Sequence, residues 1–419
     1  MNPHELAERY GTPAYVYDLA AVRAAYADLR AALPDPALLY YSLKANPHPA
    51  LVDELASLGC RAEVSSTGEV DAALAAGVDP AAVLLTGPGK TTAAVAHALR
   101  RGVRRFSVDS PADLNRVGAA VARHGTRAQC LLRVNADEPV SGMGLAMTGT
   151  ASQFGADASW VLRRPEDFRG SPQAPVTGLH LYMGSNLTDT ATLLRQFEVA
   201  VAIAVRVRKV LGDLTEIDLG GGFGTPYARD GARPTFPDLA DRLARLLDDR
   251  LPDWRDGAPR ISFESGRYLV GDCGTLLCRV VDVKSSKGQL FTVLDTGVNH
   301  LGGMAGLRRL PPILPSVRPP VDRDDTPTEV VRTGLVGPLC TPLDTFSRTA
   351  ELPAPRPGTL LAVPNVGAYG LTASLLAFLG HPAPVEVVVD GDTPVSVSRL
   401  LLDRVDLPVD QSAAVPSGR

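Results

Sequence analysis

The chain has 419 residues, is 45% hydrophobic and carries a net charge of -4, with acidic and basic residues mixed along it. That length is more than one ordinary core fills and points to at least two domains. The lack of any basic run or basic-aromatic patch argues against nucleic-acid binding, and no apolar stretch reaches membrane-spanning length.

The opening residues, Met1 to Glu5, lack the basic-then-apolar layout of a signal peptide, so a cytoplasmic location is expected. Ala14–Tyr17 reads as a short strand ahead of the main pattern. Residues 1–34 are assigned to an N-terminal segment that joins a later β domain. From residue 38 onward, β-rich runs alternate with helical ones. The β-rich runs are Leu38–Lys44, Arg61–Ser66, Val83–Gly87, Arg104–Ser110, Ala128–Asn135, Thr177–Ser185, Glu216–Gly222 and Arg260–Gly266. Between them, Gly68–Ala76, Thr91–Arg101, Pro111–His124 and Leu187–Leu211 read as helices. Eight such units in about 230 residues is the count and size of a (β/α)8 barrel, placed at 35–270. An open doubly wound sheet is the alternative, but it usually has fewer strands and a nucleotide fingerprint after the first.

Each run ends on a polar or glycine residue, and in a barrel these ends converge on one face. The first run, Leu38–Lys44, ends on a lysine within the stretch Tyr40-Tyr41-Ser42-Leu43-Lys44-Ala45-Asn46-Pro47. By itself this fits a strand-end lysine whose head reaches water. The sharper reading is a lysine deprotonated by desolvation and able to condense with an aldehyde. The Gly- and Met-containing connection Ala136–Asp157 after the fifth strand has the length of a lid or substrate loop. The seventh run leads into four glycines within Gly220–Gly224. Glycines let backbone N–H groups cradle a phosphate, and a barrel phosphate site sits near the seventh and eighth strands. The eighth run ends in Phe263-Glu264-Ser265-Gly266-Arg267. A lysine, a phosphate cradle and a carboxylate in one pocket suit pyridoxal phosphate, which needs an aldehyde partner, N–H donors and an acid at its pyridine nitrogen.

After Arg267, β-rich runs at Arg279–Val283, Phe291–Asp295, Glu329–Val336, Leu360–Val366, Val385–Val389 and Val395–Leu402 are separated by Pro/Gly-rich turns. Residues 271–419 are expected to form an antiparallel β domain. Leu310–Thr328 reads as an exposed excursion, and the tail from Asp410 as frayed. Four of the five cysteines, Cys60, Cys130, Cys273 and Cys278, read as small buried hydrophobes. Cys340 sits in a turn-like Gly337-Pro338-Leu339-Cys340-Thr341-Pro342 setting that favours exposure. The seven histidines show no ligand spacing, so no metal is expected.

The motifs Tyr41–Asn46, Glu63–Glu69, Gly220–Gly224, Glu264–Arg267, Cys340–Asp344 and Gly367–Gly370 resemble, in order and over nearly the whole chain, the fold-type III pyridoxal phosphate decarboxylases. This group includes diaminopimelate, ornithine and arginine decarboxylases. The resemblance implies an alanine-racemase-like barrel with a β domain, working as a homodimer with shared active sites. It implies that Lys44 holds the cofactor and that Glu264 pairs with its pyridine nitrogen. Glu63, Ser185, Gly221, Gly222, Gly266 and Arg267 would surround it. Cys340 would protonate the α-carbon from the partner subunit, and Tyr369 would also reach across the interface. Arg267, Thr341, Asp344 and Tyr369 are the candidate substrate contacts. Where the family often has a ring-stacking His, this chain has Tyr182, which is expected against the cofactor ring; His180 is either a residue behind it or a plain core histidine.

The residues that in diaminopimelate decarboxylases recognise the distal amino-acid end align with Gly303, Leu307 and Thr341. Leaving a distal ammonium and carboxylate unpaired is unfavourable by several kcal/mol. Further matches at Thr86–Lys90, Ser152–Gly155, Gly222–Tyr227 and Phe378–Pro382 resemble the butirosin-pathway branch, which acts on a glutamyl group carried on an acyl carrier protein. A carrier-tethered glutamyl or aspartyl-type substrate is therefore expected, with an acyl carrier protein as partner. The alternatives are a free amino acid, an amino-acid racemase (Glu264 stands where a racemase normally has an Arg) and a non-catalytic cofactor-binding protein.

Overall fold

The computed structural model describes residues 2–137, 145–146, 149, 151–212, 214–302, 315–320 and 329–406. Eight parallel strands close into a barrel: Leu38–Ser42, Arg61–Val64, Val83–Leu85, Arg105–Val108, Gln129–Asn135, Ala174–His180, Glu216–Asp218 and Arg260–Ser265. The eighth strand pairs with the first, Glu264 opposite Tyr40, and the fifth with the sixth, Leu132 opposite Leu179. All eight expected strands are present. Most are shorter than their β-rich runs, because the terminal polar and glycine residues leave the ladder to form the mouth turns.

Small polar residues start the barrel helices. Ser66, Thr91, Ser110 and Asp189 each accept a backbone N–H with the side chain, opening Thr67–Ala75, Thr92–Arg100, Pro111–Arg123 and Thr190–Leu211. Each such cap stabilises its helix by about 1 kcal/mol. The helix after the eighth strand is only four residues long, Arg267–Val270. Helix Leu19–Ala31, from the N-terminal segment, packs against it and against Pro49–Ser57.

The second sheet has eight strands and is mixed. Most pairings are antiparallel, as the sequence leads one to expect, but two are parallel. Ala14–Asp18 runs parallel to Val385–Asp390 while pairing antiparallel with Gly274–Ser286. Gln289–Leu294 runs parallel to Val330–Val336. One strand of this sheet has no counterpart in the sequence reading: Thr345–Pro353, at the end of the sheet, which among the described residues pairs only with Val330–Val336. Its polar, half-exposed sequence is what an edge strand tolerates, so the β-rich signal is weak there.

The main core runs continuously from barrel residues such as Phe106 and Phe263 into sheet residues such as Leu276 and Val363. A smaller cluster beneath helix Pro3–Tyr10 joins Leu6, Ala14, Leu277 and Val387. Of the expected excursion Leu310–Thr328, only 315–320 lie within the described residues; Gly303, Leu307 and the tail from Asp410 lie outside them, as does part of Ala136–Asp157. Cys60, Cys130, Cys273 and Cys278 are buried and Cys340 is exposed.

Barrel and sheet meet where Gly274 crosses Gly367. A Cβ on Gly274 would overlap the Gly367 backbone, while Val366 N–H donates to Gly274 O at 2.9 Å. Gly274→Ala is expected to destabilise the fold by about 1–3 kcal/mol through overpacking against an unyielding backbone. Thermal and urea denaturation check this; an unchanged midpoint would mean the crossing is looser than described.

Candidate active site

Lys44 lies in a short 3-10 turn directly after the first barrel strand. Its Nζ is 3.4 Å from Glu63 Oε2, and 42% of its side-chain surface remains open to the mouth. Burial works against the ammonium, but Glu63, the phenols of Tyr182 and Tyr369, and Glu264 overcome it, so its pKa is held well above the ordinary value. This corrects the expectation of a lysine deprotonated by desolvation: nearby acids outweigh desolvation here. Burial likewise opposes ionisation of Glu63, yet Lys44 and hydrogen bonds from Thr86 and Ser42 bring its pKa down to about 2.

Below the lysine are three further polar side chains from neighbouring strand ends. His180 ends the sixth strand, Asp218 the seventh, and Glu264 lies near the end of the eighth. All are buried. His180 Nε2 is 3.3 Å from Glu264 Oε1, without an aligned hydrogen bond. Asp218 Oδ1 accepts the Gly220 N–H at 2.8 Å, and burial, reinforced by the charge of Glu264, pushes its pKa well above the usual carboxylate range.

The glycine run packs between the sixth and eighth strands. Gly221 lies against the Glu264 carbonyl so closely that no Cβ fits, and Gly222, at φ 109°, has Gly184 O and the Gln196 amide where a Cβ would stand. Gln196 Nε2 donates to Gly221 O at 2.6 Å. Gly222 lines the central pocket, whereas Gly221 supports it from behind. Lys44, Tyr182, Ser185, Glu264, Gly266, Arg267 and Tyr369 also line that pocket. Of the residues the sequence reading omitted, Ser42, Ser265 and Phe223 share the lining.

Tyr369 is placed differently from expectation. It stands in the same chain's pocket rather than reaching it from a partner: its N–H donates to Ala45 O, and Tyr227 Oη donates to Tyr369 O, each at 2.8 Å. Its φ of 55° is unfavourable for a tyrosine, by about 1–3 kcal/mol, and persists because both flanking contacts hold it. The Arg267 guanidinium lies 4.7 Å from the Tyr369 ring and 5.6 Å from that of Tyr227. Nothing in the sequence marks which protomer's pocket a distant tyrosine enters; this follows from how the sheet returns to the barrel.

Tyr182 lies between two cations, with Lys44 Nζ 5.7 Å and Arg133 Cζ 5.8 Å from its ring. Arg133 also lies 4.6 Å from the Phe154 ring. Asp109 accepts the Gly155 N–H at 2.7 Å, and Lys90 Nζ, buried, lies 2.8 Å from Asp113 and 3.4 Å from Asp109. These groups fasten residues 154–155 to the barrel mouth.

Cys340 does not line this pocket. It is exposed on a loop whose shape Asp344 sets. Asp344 Oδ1 accepts the Val298 N–H and Oδ2 the Leu339 N–H, both at 2.8 Å. Asp344 is 2% exposed. The expectation that it contacts substrate is therefore corrected: its carboxylate is taken up by its own chain's backbone. Thr341 stays on the loop surface beside Cys340, its hydroxyl accepting the Leu343 N–H.

The pocket fits pyridoxal phosphate. Glu264 Oε1, Ser265 Oγ and Arg267 Nε are buried polar atoms with no hydrogen-bond partner among the described residues. They suit a ring N–H and an anionic phosphate, since an orphaned buried polar group is unfavourable by about 1–3 kcal/mol. The family description "Pyridoxal-dependent decarboxylase, pyridoxal binding domain" matches residues 19–271. The chain belongs to the pyridoxal-dependent decarboxylases. It is 31% identical to the L-glutamyl-[BtrI acyl-carrier protein] decarboxylase of Niallia circulans, over 91% of this chain and 90% of that one. It is 34% identical to the diaminopimelate decarboxylase of Pseudomonas aeruginosa, over 94% and 91% of the two chains. Diaminopimelate decarboxylase from Helicobacter pylori, solved in complex with L-lysine, superposes with a TM-score of 0.81 at 25% identity and covers 95% of each chain. This protein is a pyridoxal phosphate-dependent amino-acid decarboxylase. No helix among the described residues of the decarboxylase is long and apolar enough to cross a membrane.

The ion pair at the centre has a pH signature. Glu63 ionises at about 2 in the fold against 4.5 ordinarily, so its contribution is complete above 4.5 and is lost as pH falls through that window. In the cofactor-free protein, Glu63→Gln is expected to lower stability at neutral pH, with the gap to wild type narrowing as pH drops from 4.5 toward 2. Urea midpoints across pH check this, and a gap that widens on acidification would contradict the assignment.

Proposed function

We propose that this decarboxylase removes the α-carboxylate from a glutamyl or aspartyl-type group tethered to an acyl carrier protein. The observation that carries the reading is the Cys340 loop. Thr341 follows the cysteine and Asp344 is engaged with backbone N–H groups, so the loop offers no free carboxylate to a distal ammonium. A tethered acyl group has no distal charge to satisfy. The similarity to a carrier-protein-linked glutamate decarboxylase supports the same reading. Relatives named diaminopimelate decarboxylase, up to 34% identical, favour a free amino acid as the second reading.

The roles follow from position. Lys44 would hold the cofactor through its aldehyde, with Glu63 keeping the amine in place. Glu264 would accept a hydrogen bond from the ring nitrogen, and Tyr182 would lie against the ring. Ser185, Gly222, Gly266 and Arg267 would bind the phosphate. When bound, the cofactor supplies an electron sink for the pair left on the α-carbon as CO2 departs. The Cys340 thiol, delivered from a partner subunit in a homodimer, would then give its proton to that carbon, the transfer a positioned side-chain acid makes.

Lys44→Ala is expected to abolish both cofactor absorbance and CO2 release. Cys340→Ala is expected to keep the absorbance and slow turnover about 100-fold, within the usual range for losing a positioned acid. CO2 release from carrier-bound glutamate and aspartate is expected to exceed that from the free amino acids. Efficient turnover of free diaminopimelate, with carrier-bound substrates ignored, would overturn the substrate assignment.

A further inference from the structure

Ser107 stands in the fourth barrel strand, 1% exposed, and no motif in the sequence draws attention to it. Its Oγ lies 2.8 Å from His180 Nδ1, and this is its only side-chain hydrogen bond among the described residues. The other ring nitrogen, Nε2, faces Glu264 Oε1 at 3.3 Å. The three side chains therefore form one buried line, from the fourth strand through the sixth to the eighth, ending on the carboxylate at the pocket floor.

Two tautomers of His180 are conceivable, and the surroundings choose between them. If Nδ1 carried the proton, the Ser107 hydroxyl hydrogen would have no acceptor, and a bare Nε2 lone pair would face a carboxylate oxygen. If Ser107 donates to Nδ1, the proton sits on Nε2, the nitrogen 3.3 Å from Glu264 Oε1. Only the second arrangement pairs the Ser107 hydroxyl and puts a proton rather than a lone pair on the nitrogen beside the carboxylate, and a ring nitrogen's tautomer is set by the bond its opposite nitrogen makes. The other charged groups near this line are Lys44, Glu63 and Asp218. None of them has a hydrogen bond to either histidine nitrogen.

We propose that Ser107 is a positioning residue that locks His180 as the Nε2–H tautomer, so that His180 orients the Glu264 carboxylate toward the cofactor ring nitrogen. This rests on the reading of Glu264 given above. It explains why a histidine is kept in a barrel interior with no solvent access and no contact with the central pocket. It also separates His180 from Tyr182: the phenol faces the pocket, while the imidazole acts from behind the acid.

The test uses the full-length protein labelled with 15N-histidine, with the His180 signals assigned by their loss in His180→Gln. Wild type is expected to show a single Nε2–H tautomer. Ser107→Ala is expected to give a tautomer mixture and to weaken pyridoxal phosphate binding about tenfold, the scale of one positioned hydrogen bond. Ser107→Cys, a weaker donor of similar size, is expected to fall between them, which a general folding defect would not produce. If either the tautomer or the cofactor affinity is unchanged in Ser107→Ala while Glu264→Gln weakens cofactor binding, the proposal falls and the reading of Glu264 stands. If Glu264→Gln leaves cofactor affinity unchanged, that reading falls and takes the proposal with it.

Discussion

One lysine held against a buried carboxylate organises this protein. Lys44 and Glu63 each offset the cost of the other's desolvation, which is the condition under which charges persist in a barrel interior. The remaining acids are accommodated differently. Asp218 is driven toward its neutral form, while Glu264 keeps an oxygen without a partner. A folded chain accepts that many polar groups in one layer only when the layer has a use. Here it forms the floor and wall of a cofactor pocket.

The pocket is also where the two sheets are joined. Asn46, two residues beyond the lysine, donates to Gly367 O at 2.8 Å, and Tyr369 N–H returns to Ala45 O. The two residues just after the lysine are thus each bonded to the returning Gly367–Tyr369 segment. The close crossing of Gly274 and Gly367 brings that segment within reach. A decarboxylase built this way couples the position of Lys44 to the docking of its second sheet. The Cys340 loop is braced separately, by Asp344, and presents its thiol outward.

Much of this was legible along the chain. The eight barrel strands were readable because a parallel strand buried on both faces leaves a near-continuous apolar run, and each run ended on the residue that turns toward the mouth. Lys44, Glu264 and the glycine run stood out at the ends of those runs, and the structure brings Lys44, Glu264 and Gly222 to one pocket. Ser107 was not: a serine inside an apolar strand looks like any small residue until the strand two places away puts a histidine nitrogen beside it. Thr345–Pro353 was missed because an edge strand needs little hydrophobicity. Asp344 was misread because proximity to Cys340 in sequence suggested substrate, whereas its oxygens turn inward to backbone N–H groups.

The sequence by itself determined the barrel, the presence of a second β-rich unit and the cofactor class, since these rest on local patterns and short motifs. Only the tertiary structure decided the pairing of Lys44 with Glu63, the placement of Tyr369 in its own chain's pocket, the bracing role of Asp344 and the line from Ser107 to Glu264. Each of these depends on distances between residues far apart in the chain, and electrostatic and hydrogen-bond energies change sign with partners that no linear pattern specifies.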